Sequence, residues 1–245
     1  MDARFFTAWV EETARAVAAD RDRLTRLDAA IGDADHGTNL DRGFTAVREA
    51  LSAAFPGTPG AVLTLTGTTL IRKVGGASGP LYGTVFRQMG AVLTAAQREG
   101  PGEPAGHGPA GRSLPPSAGD APGPEGPEEL EEEVTVTLAD LAAAFEAGLA
   151  GVRKLGGAQE GDKTMVDALA PATRALSGAV SAGRGAREVF DAALAAAREG
   201  AVATVPLMAR KGRASYLGER SIGHEDPGAA STVLLFVALR AAAGG

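Results

Sequence analysis

Apolar residues recur along most of this chain at the three- and four-residue spacing of one face of an α-helix. The first stripe begins at Phe5 and predicts a helix over about 3–20. Later stripes predict further helices, at about 44–54, 60–74, 80–100, 138–156, 164–181, 186–208 and 227–242. Pro206 should bend or end the seventh, because proline lacks the N–H that a helix interior requires.

Strand-like alternation is confined to one short run, Val134-Thr135-Val136-Thr137. This run is too short to compete with the helical pattern. The sequence therefore predicts an all-α fold of about eight helices. The polar and glycine-rich residues that could bind a ligand or take part in a reaction lie in the loops between these helices.

Residues 101–133 differ in composition from the rest of the chain. They contain 8 of the 14 prolines, 7 of the 34 glycines, eight acidic residues and one basic residue. The whole chain has a net charge of −6, so the remaining residues are close to neutral. Prolines, glycines and like charges oppose a packed core. We therefore predict a single domain over 1–245 with a flexible Pro/Gly/Glu-rich segment between the fourth and fifth helices.

The composition excludes several classes of function. Without cysteine the chain has no disulfide, thiol nucleophile, iron–sulfur cluster or thiolate zinc site. No apolar run reaches the roughly 18 residues of a membrane span, and the N-terminus does not read as a secretory signal, so we expect a cytoplasmic protein without membrane contact. An acidic pI of about 5.2 and the lack of a basic stripe argue against direct nucleic-acid binding.

Three carboxylates, those of Asp28, Asp33 and Asp35, lie within eight residues between the first two helical stripes. Anions this close repel one another, and Mg²⁺ would neutralise them because it prefers oxygen ligands. Gly32 and Gly37 would let the backbone bring the carboxylates together. The alternative is that the aspartates cap helices and stabilise turns. The residues after Asp33 do not match a calcium loop, which requires glycine at its sixth position and glutamate at its twelfth.

Three further loops offer groups for binding phosphate. Gly75–Pro80 opens the fourth helix with unpaired N–H groups but has no dinucleotide fingerprint. Residues 156–164 approach the phosphate-loop pattern, but Asp162 separates the second glycine from the lysine. Residues 210–220 hold four basic side chains, and Asp226–Gly228 has the pattern of a cap and first turn of the last helix. Each loop taken alone also fits an ordinary solvated loop.

His36 directly follows the aspartate cluster. Its imidazole has two interpretations: it bonds to a phosphate or orients a ligand, or it bonds to a backbone carbonyl as a turn residue. The position of His36 in the sequence does not decide between them.

Taken together, these loops resemble the L subunit of dihydroxyacetone kinase, the nucleotide-binding half of that enzyme. The matching stretches are Leu27-Asp28 with Gly32–Gly37, Gly75–Gly83, Gly161–Met165 and Gly212–Gly228. They occur in the family's order and cover nearly the whole chain outside 101–133. The resemblance implies an antiparallel eight-helix barrel with the nucleotide held by loops at one end. It also marks 101–133 as an insertion, either a spacer or a contact for a partner.

The resemblance also implies the site residues. The metal ligands would be Asp28, Asp33 and Asp35, holding two Mg²⁺ ions. The phosphate and sugar contacts would be His36, Gly37, Thr38, Asn39, Ala77 and Ser78. The adenine side and the rest of the nucleotide pocket would be formed by Gly156, Met165, Arg213, Asp226, Pro227 and Gly228. No catalytic residue is implied on this chain, because the family holds its sugar on a histidine of a separate K subunit.

The implied activity is transfer of a phosphoryl group from Mg-bound ADP/ATP to dihydroxyacetone on the K subunit, with no turnover unless that subunit is present. Two phosphate sources stay open: a phosphoprotein of the sugar phosphotransferase system, the M subunit, could rephosphorylate bound ADP in place, or free ATP could exchange. Two other functions also stay open. One is a nucleotide-dependent regulatory module that docks on a transcription factor, and the other is a kinase domain for another small polyol or acyl substrate.

Overall fold

A computed structural model gives the fold and describes residues 1–98 and 134–244. Its elements in chain order are α1 Ala3–Ile31, α2 His36–Ala54, α3 Pro59–Lys73, α4 Ser78–Arg98, α5 Leu138–Gly156, α6 Val166–Ser181, α7 Ala186–Ala203, a 3-10 helix Arg213–Ser221 and α8 Pro227–Ala242. The described residues contain no β-strand, so the all-α prediction is confirmed. The predicted flexible insertion, 101–133, lies outside the described residues.

Each α-helix packs against the next one in the chain, and α8 packs against α1, which closes a ring of eight helices. Aromatic side chains fill the space inside this ring. The Trp9 ring lies 5.7 Å from both Phe86 and Phe145, and Phe145 stacks on Phe236 at 5.2 Å. The Trp9 indole N–H donates to the Leu235 carbonyl at 2.8 Å, so the core buries its one indole without an unpaired donor.

Short polar residues cap several helices. Thr58 caps α3 by accepting from the Ala61 N–H, with Pro59 in the first turn. Thr137 and Asp140 form a reciprocal capping box at the start of α5. The predicted cap of the last helix is confirmed, because the Asp226 side chain accepts from the N–H of Ala229 at 2.7 Å. No helix in the described ranges is long and apolar enough to cross a membrane.

Three helix ends differ from the sequence prediction. Helix α2 begins at His36 instead of near 44, because His36 and Leu40 continue the buried face that contains Phe44. The predicted site residues from His36 to Asn39 therefore lie in the first turn of a helix and not in a loop.

Helix α1 continues to Ile31 instead of ending near 20, because Leu24 and Ile31 extend its buried stripe past a charged, solvent-facing run. Asp28 therefore lies on the last turn of a helix and not in a loop. Helix α7 ends at Ala203, short of the predicted 208. Pro206 follows this end, in keeping with its predicted effect on the helix.

Gly37 lies where α2 crosses α1, and a side chain at this position would collide with backbone. A Cβ atom built there would lie 2.1 Å from the Arg21 carbonyl oxygen and 2.9 Å from the Thr25 backbone nitrogen. Only glycine lets the two helices approach this closely.

We expect Gly37→Ala to lower the free energy of unfolding by about 2 kcal/mol, because overpacked helix contacts must separate. Gly178→Ala is the matched control: Gly178 lies within α6 with nothing near its Cβ position, so alanine should raise that free energy by about 0.5–1 kcal/mol. Urea unfolding of the nucleotide-free chains measures both. An equal effect at the two positions would contradict the close approach at Gly37.

Candidate functional site

A cavity of about 540 Å³ lies at one end of the helix ring, where the loops that follow α1, α3, α5 and α7 meet. These loops share one end because successive helices run in opposite directions. The odd-numbered helices therefore point their C-termini towards the cavity, and the even-numbered helices begin there. Helix N-termini carry partial positive charge and C-termini partial negative charge. This end of the ring consequently suits both an anionic ligand and a cation.

Twelve of the fifteen site residues implied by the family resemblance line this cavity. They are Asp28, Asp33, Asp35, His36, Ala77, Ser78, Gly156, Met165, Arg213, Asp226, Pro227 and Gly228. Gly37, Thr38 and Asn39 do not border it. Gly37 is packed against α1, Thr38 is exposed, and the Asn39 side-chain oxygen accepts from Arg42 at 2.8 Å. A role of these three as phosphate or sugar contacts stays a prediction.

The three aspartates of the cluster converge in the structure. Asp28, Asp33 and Asp35 each place one carboxylate oxygen within 4.8 Å of the other two. The carboxylate of Asp28 also ties α1 to α2, because one of its oxygens accepts the backbone N–H groups of Asp35 at 2.9 Å and His36 at 3.1 Å. A set of oxygen donors this compact fits a hard divalent cation.

Gly32 leaves the space that the Asp28 carboxylate occupies. A Cβ atom at Gly32 would lie 2.0 Å from Asp28 Oδ1, so any side chain there would displace the carboxylate. The Arg213 guanidinium approaches the same cluster and forms an ion pair with Asp33 at 3.1 Å. Arg213 therefore offsets part of the negative charge, and a cation bound by Asp33 would compete with it.

The His36 ring is buried and connects three helices. Its Nδ1 lies 3.0 Å from Ser78 Oγ at the start of α4, and its Nε2 lies 2.8 Å from Ser231 Oγ in α8. Burial lowers the pKa of His36, although Asp28, Asp35 and the Pro227 carbonyl oppose that shift. Both ring nitrogens thus have hydroxyl partners that place the ring at the cavity wall.

Tyr82 extends this connection and was not singled out as a site residue in the sequence. Its hydroxyl lies 2.7 Å from Ser231 Oγ and 3.1 Å from Thr232 Oγ1. The same hydroxyl lies within donating distance, 3.1 Å, of the Gly228 carbonyl oxygen. Burial raises the pKa of Tyr82 to about 12. The Tyr82 hydroxyl therefore stays protonated and braces the first turn of α8, where Asp226–Gly228 border the cavity.

The loop between α5 and α6 is held by the carboxylate of Asp167, which lies in the first turn of α6. Asp167 accepts the N–H of Gly161 at 2.6 Å and the N–H of Thr164 at 2.7 Å. Between these residues, Lys163 is buried and borders the cavity. Burial lowers the pKa of Lys163, opposed by Asp226 and Asp167. Lys163 lies within the family-matching stretch Gly161–Met165, but it is not among the site residues that the resemblance implies.

Asp226 is buried at the N-terminus of α8, and burial raises its pKa to about 7. The backbone N–H of Ala229 and the ammonium of Lys163 oppose that rise, while Asp167 adds to it. Burial and the nearby Asp167 therefore outweigh the hydrogen bonds and the Lys163 ammonium in their effect on this pKa. Its fixed hydrogen bond to Ala229 keeps it in the role of a helix cap.

One wall of the cavity is apolar. Its residues come from α4, α5, the α5–α6 loop and the start of α6, and they are Leu81, Val152, Leu155, Ala158, Met165 and Val166. Leu155 remains 54% exposed, so this wall is open to a ligand. A cavity that combines an apolar wall with clustered charges fits a ligand with one uncharged part and one anionic part.

Known proteins share this sequence and fold. The family model of the DAK2 domain matches residues 30–105 and 125–241. The chain is 36% identical over 235 residues to the ADP-binding subunit DhaL of the PEP-dependent dihydroxyacetone kinase of Escherichia coli, covering 96% of this chain and 94% of that subunit. It is 33% identical to the D-erythrulose kinase of Mycolicibacterium smegmatis, covering 95% of this chain and 34% of that enzyme.

The crystal structure of the dihydroxyacetone kinase of C. freundii in its native form has a similar fold, with a TM-score of 0.63 at 23% identity. The match covers 98% of this chain and 35% of that chain. The same enzyme in complex with AMP-PNP and Mg²⁺ matches with a TM-score of 0.62 at 22% identity. These matches confirm the eight-helix fold that the loop motifs implied. The chain belongs to the DAK2 domain family and, within it, to the dihydroxyacetone kinase L subunits.

Proposed function

We propose that this chain is the nucleotide-binding subunit of a dihydroxyacetone kinase and passes a phosphoryl group from Mg-bound ADP/ATP to dihydroxyacetone held on a separate K subunit. The observation that carries the proposal is the convergence of Asp28, Asp33 and Asp35 beside the glycine-rich start of α4 in one cavity. The names of the curated L subunits and the Mg²⁺ and AMP-PNP of the C. freundii structure support it.

The aspartate cluster would hold the metal, with two Mg²⁺ ions as the family resemblance implies. The donors are all carboxylate oxygens, the ligand type that Mg²⁺ prefers, and few enough to leave coordination positions for phosphate. Mg²⁺ held by these aspartates would neutralise phosphate charge during the transfer. The protein positions the ligands of the metal. Asp28 fixes the α1–α2 junction, and Gly32 leaves room for the Asp28 carboxylate.

The phosphates would lie between the metal cluster and the helix N-termini. Ala77 and Ser78 open α4, and Pro227 and Gly228 open α8, so two helices direct their partial positive ends at the cavity. Arg213 adds a guanidinium that can pair with phosphate oxygens in place of Asp33. The chain thus supplies electrostatic stabilisation from several directions to a transferring phosphoryl group.

The apolar wall would hold the base. Leu81, Val152 and Met165 offer apolar contact area, and Gly156 lines the cavity beside them. A base placed here would leave the phosphates to the charged groups of the same cavity. This arrangement supports the assignment of Gly156 and Met165 to the adenine side.

The sugar substrate would come from a partner. Among the described residues, the only histidine that lines the cavity is His36, and both of its ring nitrogens already bond to hydroxyl groups. His224 is exposed and outside the cavity wall. These contacts support a histidine of the K subunit as the group that holds dihydroxyacetone covalently. A phosphoprotein of the phosphotransferase system could in addition recharge bound ADP, which agrees with the PTS-dependent relative of Lactococcus lactis.

Titration calorimetry of the purified chain with ADP tests the proposed binding. We expect saturable binding with one nucleotide per chain in the presence of Mg²⁺ and a large loss of affinity in excess EDTA, because the carboxylates then repel the phosphates. Adenosine serves as the control ligand and should not respond to EDTA. Binding of ADP that does not depend on Mg²⁺ would contradict the metal assignment, and absence of binding would contradict the proposed function.

A further inference from the structure

In the described part of the chain, Lys163 is the only lysine whose side chain is buried, at 1% exposure. Its ammonium donates to three backbone carbonyls: Thr204 at 2.8 Å, Leu207 at 3.1 Å and His224 at 2.5 Å. A lysine ammonium has three N–H donors. All three are therefore used within the protein.

The three carbonyls belong to the two ends of one segment, residues 204–224, which connects α7 to α8. Further bonds join the same ends: the Gly223 N–H donates to the Val205 carbonyl at 2.8 Å, and the Asp226 N–H donates to Thr204 Oγ1 at 2.9 Å. Lys163 thus occupies the base of a closed loop and ties it to the α5–α6 loop.

The 204–224 segment carries basic groups to the cavity. Lys211 and Arg213 both line it, and Arg213 reaches Asp33 across it. Beyond the segment, Asp226 begins the first turn of α8 at the same cavity. The Arg210 N–H also donates to the Asp162 carbonyl at 3.1 Å, directly beside Lys163. The position of Arg213 therefore depends on how the base of this loop is held.

The backbone at Lys163 supports the same conclusion. Its φ is 63°, a left-handed conformation that is unfavourable for a residue with a Cβ atom. The Asp167 carboxylate holds the N–H groups on both sides, those of Gly161 and Thr164. Such conformations persist where the surroundings enforce them, often at functional sites. Here the enforced turn directs the ammonium inward, to the loop base.

We propose that Lys163 is a positioning residue, which holds both ends of the 204–224 segment and thereby places Arg213 and Lys211 at the cavity, without itself binding phosphate. The inference rests on the proposed function and deepens it. The sequence Gly161-Asp162-Lys163-Thr164 invites the opposite interpretation, a phosphate-binding lysine. To reach a phosphate, Lys163 would have to break its charge-assisted hydrogen bonds to the three carbonyls. Those buried carbonyl oxygens would then be left without a donor, which is unfavourable.

Two substitutions separate these roles. Lys163→Met removes all three donors at similar length, and Lys163→Arg retains the cation and several donors. Both keep a Cβ atom, so the left-handed backbone remains equally unfavourable. Lys154→Met is the matched control, because Lys154 lies on the exposed last turn of α5, outside the cavity wall, and the substitution changes the net charge equally.

Hydrogen exchange of the nucleotide-free full chain is the first measurement. Lys163→Met should accelerate amide exchange in 204–226, Lys163→Arg should restore most of the protection, and Lys154→Met should leave it unchanged. Unaltered exchange in Lys163→Met would overturn the proposal. Because no nucleotide is present, this result is independent of whether the chain binds ADP, and failure of the wild type to bind Mg-ADP would sink the proposed function alone.

The Kd for Mg-ADP is the second measurement. Lys163→Met should weaken binding roughly 10- to 100-fold, the range seen when groups that orient ligand-binding residues are lost. Arg213→Met should then add little to Lys163→Met, since Arg213 is already displaced. Losses that multiply in the double variant, with normal exchange in 204–226, would show a direct phosphate contact and overturn the proposal. Should Lys163→Met fail to fold, Lys163→Gln, which keeps two N–H donors, replaces it in both measurements.

Discussion

Asp33→Ala should abolish Mg²⁺-dependent nucleotide binding while leaving the helical fold intact. Asp33 is exposed in the loop between α1 and α2. Apart from the neighbouring aspartates, its side chain pairs with Arg213 in the described part of the chain. Removing a carboxylate from a metal-bound phosphate site should cost about 3 kcal/mol or more, which is over ~100-fold in Kd. Titration with Mg-ADP measures the loss, and circular dichroism confirms the helices.

Asp22→Ala is the matched control for this change. Asp22 lies in α1, is exposed and pairs with Arg21, so its loss changes the net charge equally without touching the cavity. Nucleotide affinity should be the same as in the wild type. Asp28 is a poorer choice for the test, because its carboxylate also accepts the N–H groups at the start of α2, and its loss would affect folding as well as binding.

The behaviour of Asp33→Ala without metal gives a second check. Arg213 loses its partner in this variant and is free to pair with phosphate. Binding of ADP in EDTA should therefore be unchanged or slightly tighter than in the wild type. Unchanged affinity for Mg-ADP in Asp33→Ala would mean that the aspartate cluster does not hold the metal.

The number and order of the helices were predictable because an apolar stripe or run marks each of them. The end of α1 was not, because the charged run from Asp20 to Arg23 resembles a helix end while Leu24 and Ile31 carry the buried face onward. Charged residues on the solvent side do not terminate a helix, and ion pairs such as Arg23 with Asp20 at 2.8 Å support it. The consequence is that Asp28 is held more rigidly than a loop residue.

The candidate site was predictable in its loops but not in its supporting contacts. The motifs near Asp28, Ser78 and Asp226 carry their own local signals, and these residues meet at the cavity. The bond between His36 and Ser231 joins residues 195 positions apart, and no local pattern announces it. Lys163 was missed for a similar reason: its three partners are backbone carbonyls, which every residue possesses and no sequence distinguishes.

We also expect a large effect of a K subunit on the turnover of dihydroxyacetone. The described residues supply carboxylates, helix N-termini and basic groups around the cavity, but no histidine there with a free ring nitrogen. On the proposed function, this chain holds the phosphoryl donor and its electrostatic environment, and another protein would bring the acceptor in line. We expect no detectable turnover of dihydroxyacetone by this chain alone and an all-or-none gain when a K subunit is added.

The gain in turnover is measured with two different phosphoryl donors. One arm supplies Mg-ATP, and the other supplies ADP with phosphoenolpyruvate and the phosphotransferase proteins that recharge it in place. Turnover in the first arm indicates exchangeable ATP, and turnover in the second alone indicates a bound ADP that is rephosphorylated. The Asp33→Ala chain is the negative control in both arms, and the Asp22→Ala chain is the positive control.

The measurement that tests the account most directly is the formation of dihydroxyacetone phosphate by the purified chain with and without a K subunit, in both donor arms. The account predicts product only when the K subunit is present. Product from this chain alone would contradict it, because the sugar would then be held here. Mg-ADP binding without product in any combination would favour a regulatory module or a kinase domain for another substrate.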